Sequence, residues 1–195
     1  MKKVFIAFVL VIISTLNTRA QNVAIGLKAG VTASNMKFSG DGYGLSLETK
    51  TGFYAGVFAD VSVLPHVTIS PGLYYSLLGA NYSDDDNSPK LDMGYINLPI
   101  LAKYKRDGLS LFLGPQISYL VAANYKSGSG SNDVKEEHKS TNFSGIIGAG
   151  YTLNNGVGLD VRYQFGLSDV LKDNNSGGTL KNNSFMFGIH YVLLK

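Results

Sequence analysis

Six ionisable side chains, Lys28, Asp60, Lys103, Asp160, Arg162 and His190, sit at positions that alternate with large apolar residues. In an extended chain with a side-chain period of two, each would lie on the face opposite the apolar stripe. If the segments close around a common interior, all six point into it. Groups of both signs gathered there can do one of two things. Paired and hydrogen-bonded, they form a structural salt-bridge plug, because buried charges are tolerated only when compensated. Strung along an open axis, they line a narrow path for ions or protons, and charge reversal at Arg162 would then change single-channel conductance.

Other chemistry has thinner support. There are three histidines: His66 beside Pro65, His138 among Glu136, Glu137 and Ser140, and His190. No nucleophile elbow, metal-ligand spacing or phosphate-cradling loop occurs. The run Asp84-Asp85-Asp86, followed by Asn87, lacks the spaced ligands and the glycine of a calcium loop and reads as a solvated loop tip. The chain contains no cysteine, which removes disulfides and thiolate metal sites. The expectation is a non-enzymatic protein with no cofactor and no metal.

The elements that would position the six charges are strands. Across residues 157–168, Val157, Leu159, Val161, Tyr163, Phe165 and Leu167 alternate with Gly158, Asp160, Arg162, Gln164, Gly166 and Ser168. Similar alternation recurs over residues 23–34, 52–63, 67–77, 95–105, 109–121, 143–153 and 185–193, giving eight segments. Pro71 and Pro99 fall inside two of them and predict bulges, because proline cannot donate to a strand ladder. Connectors alternate in length. Those at Leu64-Pro65-His66, Arg106-Asp107-Gly108 and Asn154-Asn155-Gly156 are tight hairpin turns, whereas residues 38–50, 83–90, 124–142 and 169–181 read as long polar loops. Residues 127–140 carry Gly-Ser repeats that predict mobility.

This is the pattern of an eight-stranded antiparallel up-and-down transmembrane β-barrel, with its apolar face turned to lipid and its long loops on one side. A strand of about 11 residues at ~3.3 Å per residue, tilted ~45°, covers the ~25 Å apolar band of such a membrane. Aromatic residues fall at the two expected depths. Tyr104, Tyr151 and Tyr191 would ring the short-turn end; Phe53, Tyr75, Tyr119, Phe143, Phe165 and Phe185 would ring the other. The alternative architecture is a soluble lipocalin-like barrel with its apolar residues turned inward around a ligand. The absence of tryptophan argues against it, since the usual Gly-x-Trp start is missing.

Residues 1–20 stand apart. Lys2 and Lys3 precede an almost unbroken apolar run from Val4 to Leu16, and Thr18-Arg19-Ala20 ends in a small residue. This reads as a secretory signal peptide cleaved after Ala20, leaving residues 21–195 as one barrel domain. The formal net charge of +3 resides in Lys2, Lys3 and Arg19, so the exported chain is electrically balanced and no basic surface for nucleic acid survives.

With the strands placed, the chain resembles the PorT-like outer-membrane β-barrel family of Gram-negative bacteria, barrels of OmpA and OmpX type. The resemblance spans the mature chain. It rests on Gly26-Leu27-Lys28-Ala29-Gly30, on the stretch from Tyr95 to Tyr104 with its Asn97-Leu98-Pro99 and Lys103-Tyr104 elements, on Leu113-Gly114-Pro115, and on Gly148-Ala149-Gly150-Tyr151. The sequence departs from many such barrels by ending Tyr191-Val192-Leu193-Leu194-Lys195 rather than on an aromatic residue. The resemblance implies the fold and residence in the outer membrane. Members have diverse roles, one of them linked to protein secretion, and shape alone does not transfer a role. Some small barrels of this membrane modify lipids with a rim Ser/His pair; an enzyme of that kind would depend on His138 or His190.

The expectation is therefore a monomeric barrel surrounded by outer-membrane lipids, displaying loops for adhesion, for a surface or envelope protein partner, or for secretion support. Transport of ions or small solutes through the lumen is the alternative.

Overall fold

The computed structural model describes residues 23–39, 50–81, 90–127, 130–133, 140–168 and 179–194. Nine strands follow in chain order: β1 (Val23–Ser39), β2 (Lys50–Leu64), β3 (Val67–Asn81), β4 (Lys90–Arg106), β5 (Leu109–Ser127), β6 (Gly130–Asp133), β7 (Thr141–Thr152), β8 (Val157–Gly166) and β9 (Thr179–Leu194). No helix occurs among the described residues. Each long strand pairs antiparallel with its chain neighbours, and β1 pairs with β9, so eight strands close a barrel wall. Closure gives every wall strand a ladder partner on both sides, which is what a sheet needs in hydrocarbon. Short β6 lies outside that wall and extends the far end of β5 as a small hairpin.

The apolar stripe faces out. Val161 is 41% exposed and Phe165 38%, while Asp160 and Arg162 are buried in the lumen. The lipocalin-like alternative would need the reverse. The six short-turn and long-loop rim aromatics of β2, β5, β7 and β9, among them Phe53, Tyr119, Tyr151 and Phe185, are likewise exposed.

The short turns are chemically explicit. Asp107 and Gly108 both have positive φ (51° and 83°), the signature of a two-residue type I′ hairpin. At the β2–β3 turn Pro65 precedes His66, whose φ of 67° is held by contacts to the adjacent hairpin: Lys105 N donates to His66 O at 2.7 Å, and His66 Nδ1 lies 3.0 Å from Lys105 O. In the β7–β8 turn only Gly156 has positive φ, and Gly156 N donates to Leu153 O.

Two expectations need correction. Pro71 and Pro99 do not create bulges. The β2–β3 ladder skips the rungs opposite Ser70 and Pro71, the β3–β4 ladder those opposite Leu98 and Pro99, and the β4–β5 ladder those opposite Gly114 and Pro115. Register is the same on both sides of each gap: a missing N–H opens a rung without inserting a residue. Register shifts occur elsewhere, at Gly94/Tyr95, Ser62/Leu64 and Ile25/Gly26.

The long polar segments are also shorter than expected. Phe38, Lys50, Lys90, Asn124–Ser127, Gly130–Asp133 and Thr179–Lys181 belong to strands. Ladder pairing continues past the apolar band, where both faces are polar and alternation no longer signals a strand. Residues 1–20, Asp84 to Asp86 and His138 lie outside the described residues.

Glycines let the lumen hold aromatic rings. A Cβ at Gly26 would meet the Phe58 ring at 2.4 Å, one at Gly148 the Phe112 ring at 2.5 Å, and one at Gly188 the Tyr54 hydroxyl at 2.1 Å. The rings press against bare backbone at these glycines, and an eight-strand barrel is just wide enough for that filling.

Candidate functional site

The lumen brings all six expected charges inside, but in two separate clusters. Asp160, on β8, is the hub of the first. Lys28 Nζ on β1 lies 2.9 Å from its Oδ2, Arg162 Nε donates to its Oδ1 at 3.0 Å, and His190 Nδ1 on β9 stands 3.4 Å from Oδ2. Asp160 and Arg162 meet because residues two apart in a strand share a face. Asp60, on β2, is the hub of the second. It accepts from Lys103 Nζ at 2.8 Å and Lys105 Nζ at 2.5 Å, both on β4. Lys105 was not among the expected charges, although it shares the parity of Lys103; its place beside the turn hid it.

Phe58 separates the clusters and couples them. Its ring centroid lies 5.4 Å from Lys28 Nζ and 4.8 Å from Lys103 Nζ, and it meets the His190 ring edge-on at 6.0 Å. Cation–π contacts of this kind contribute about 0.5–2 kcal/mol each. Arg162 sits deeper, with its Cζ 5.4 Å from the Tyr54 ring, 5.6 Å from Tyr74 and 5.7 Å from Phe112. Its Nη2 has no hydrogen-bond partner, nor do the buried hydroxyls of Tyr54, Thr32 and Ser184. This aromatic and guanidinium layer fills the lumen across its middle.

Towards the long-loop end the filling is neutral. Gln116 Nε2 reaches Gln164 Oε1 and Ser118 Oγ at 3.1 Å and Ser144 Oγ at 3.3 Å, and Asn97 Nδ2 donates to Ser76 Oγ at 2.7 Å. A small cavity of about 20 Å³ remains there. Higher still, Lys50 pairs with Asp92, tying the start of β2, which reads as loop in the sequence, to β4. At the opposite, short-turn end a vestibule of about 250 Å³ opens between His66, Lys105, Arg106 and Asp107 at its mouth and Lys28, Asp60, Lys103 and Asp160 at its floor.

One arrangement at the vestibule wall resembles a hydrolytic relay: Thr152 Oγ1 is 2.9 Å from His190 Nε2, whose Nδ1 faces Asp160. These two contacts orient the imidazole ring between the hydroxyl and the carboxylate. The hub carboxylate, however, is already shared with Lys28 and Arg162. Asp160 is therefore a poor electrostatic support for an imidazolium, which a working triad requires. Among the described residues no group of three histidine or acidic side chains is placed to hold a metal.

Comparison with known proteins agrees with this construction. No curated protein matches the chain. Among solved structures, the surface protein NspA of Neisseria superposes with a TM-score of 0.55 at 15% identity, covering 88% of this chain and 99% of that one. The attachment invasion locus protein Ail of Yersinia pestis superposes with a TM-score of 0.53, again at 15% identity, over 89% of this chain and all of its own (100%). At that identity the likeness is one of fold. At the family level, the outer membrane protein β-barrel domain matches residues 19–172. An inward charge network inside a closed, lipid-facing wall and that match lead to one assignment: the chain belongs to the outer membrane protein β-barrel domain family.

Proposed function

We propose that the protein is a non-enzymatic, monomeric barrel of a Gram-negative outer membrane, close in type to the PorT-like barrels, that holds its long connectors at the cell surface as a binding platform. Residues 1–20 serve as the cleaved export signal, and residues 21–195 form the barrel. The six lumen charges act as a structural plug. Partners are outer-membrane lipids around the apolar belt and a surface or envelope protein at the loops; nucleic acid is not one of them.

The observation that carries this reading is the division of the molecule along its axis. The Arg162, Tyr54, Tyr74 and Phe112 layer occupies the middle of the lumen, while strands β4, β5 and β6 continue beyond the apolar band on the long-connector side. A filled interior favours a rigid support over a conduit, and ribbons rising from it favour contact with another macromolecule.

A photoreactive residue at Asn132 in β6, used in intact cells, tests the proposal. It is expected to give a discrete protein adduct, while the same probe at Asn155 in a short turn does not give that adduct. Stable ion conductance by the purified protein in planar bilayers, abolished by Arg162→Glu, would replace the platform with a channel.

A further inference from the structure

The charge balance of the vestibule points to an occupant. Four basic side chains, Lys28 and Lys103 at its floor, Lys105 at its mouth and Arg162 beneath the floor, share two carboxylates, Asp60 and Asp160. Three of the four are almost fully buried: the side chains of Lys28, Lys103 and Arg162 are 4%, 8% and 2% exposed. An excess of buried basic groups over acidic ones is costly in a low-dielectric wall, and the cost is relieved either when an ammonium gives up its proton or when an anion joins the group. The aromatic faces of Phe58 and Phe112 offset part of that cost, but they supply no hydrogen-bond acceptor for an ammonium.

The donors are available as well. An ammonium carries three protons. Lys28, Lys103 and Lys105 each spend one on a carboxylate, and each borders the same cavity of about 250 Å³. The mouth adds Arg106, whose charge is only loosely held by exposed Asp107 at 3.5 Å. Phe58 and Phe112 border the cavity on its lumen side, and His66, Arg106, Asp107 and Gly108 border it at the short-turn rim.

We propose that this vestibule binds a small, freely diffusing oxyanion of the phosphate or carboxylate class, held by the ammonium groups of Lys28, Lys103 and Lys105. The bound anion would bridge the two charge clusters that Phe58 separates. It would thereby complete the compensation that Asp60 and Asp160 leave unfinished. This site is independent of the surface platform: it opens at the other end of the barrel and stands even where no loop partner is found.

Titration of inorganic phosphate into the full chain, folded in a nonionic detergent free of phosphate headgroups, tests the proposal by calorimetry. One saturable site is expected, weakened at least about tenfold by Lys103→Gln, the least that loss of a charged hydrogen bond brings. Lys105→Gln, at a half-exposed position the fold tolerates, is expected to weaken it less. Asp60→Asn is expected to tighten phosphate, because it removes a repelling carboxylate and frees two ammoniums. A residue that only supported the fold would not move affinity in opposite directions at neighbouring positions. Retention of the fast-migrating folded band on unheated gels certifies each variant. No saturable heat with the folded protein, or equal affinity in folded Lys103→Gln and Lys105→Gln, overturns the inference.

Discussion

Removing the negative charge of Asp160 tests the lumen network most directly. Its two oxygens sit 2.9 Å from Lys28 Nζ and 3.0 Å from Arg162 Nε, and the three side chains are 1%, 4% and 2% exposed. At an effective dielectric of ~20, unit charges ~3 Å apart attract by roughly 5 kcal/mol per contact before desolvation is counted. Desolvation cancels much of that in the intact network. It does not cancel in Asp160→Asn, because Lys28 and Arg162 remain buried beside each other without a counter-charge. Experience with buried pairs broken on one side puts the loss at about 3–5 kcal/mol. Urea unfolding of the protein in lipid vesicles measures it, followed by far-UV circular dichroism because the chain has no tryptophan. Lys28→Met in the Asp160→Asn background should recover part of the loss, giving a coupling of about 1–3 kcal/mol in a double-mutant cycle. Asp60→Asn should cost less, since Lys105 is 39% exposed and can turn into water. A loss below about 1 kcal/mol for Asp160→Asn, with no coupling to Lys28, would mean that water already shields these charges, and the plug would be refuted.

Three further outcomes follow from the wall. Val161→Arg places a charge on the lipid face near mid-height and should cost about 2–4 kcal/mol, against about 0–1 kcal/mol for Leu153→Arg beside the short turn; vesicle unfolding separates the two. Gly158→Val drives a side chain into His190, whose Nε2 lies 2.2 Å from the position of the new Cβ, and should destabilise by about 1–3 kcal/mol while breaking the Thr152 contact; the His190 ring resonances report it. Amides flanking the proline gaps in the β2–β3, β3–β4 and β4–β5 ladders should exchange faster than those of the unbroken β7–β8 ladder, and uniform protection by hydrogen exchange would show that those rungs are closed.

The amino-acid order by itself determined the architecture. Alternation is a local property: once Asp160, Arg162 and Gln164 fall between Leu159, Val161, Tyr163 and Phe165, every choice of which side meets lipid is made together, and eight such stripes require a closed wall. The same parity placed Lys28, Asp60, Lys103 and His190 in the lumen before any contact was visible. What the tertiary structure decided were the relations between strands. Asp160 collects Lys28 from β1 and His190 from β9 because closure makes β9 the neighbour of both β1 and β8. Asp60 collects Lys105, a residue whose turn-side position gave no sign of the pairing. The proline gaps, the Gly94/Tyr95 shift and the strand extensions past the apolar band also escaped the pattern. Register and pairing depend on the partner strand, and beyond the hydrocarbon both faces are polar, so no periodicity records where a ladder continues.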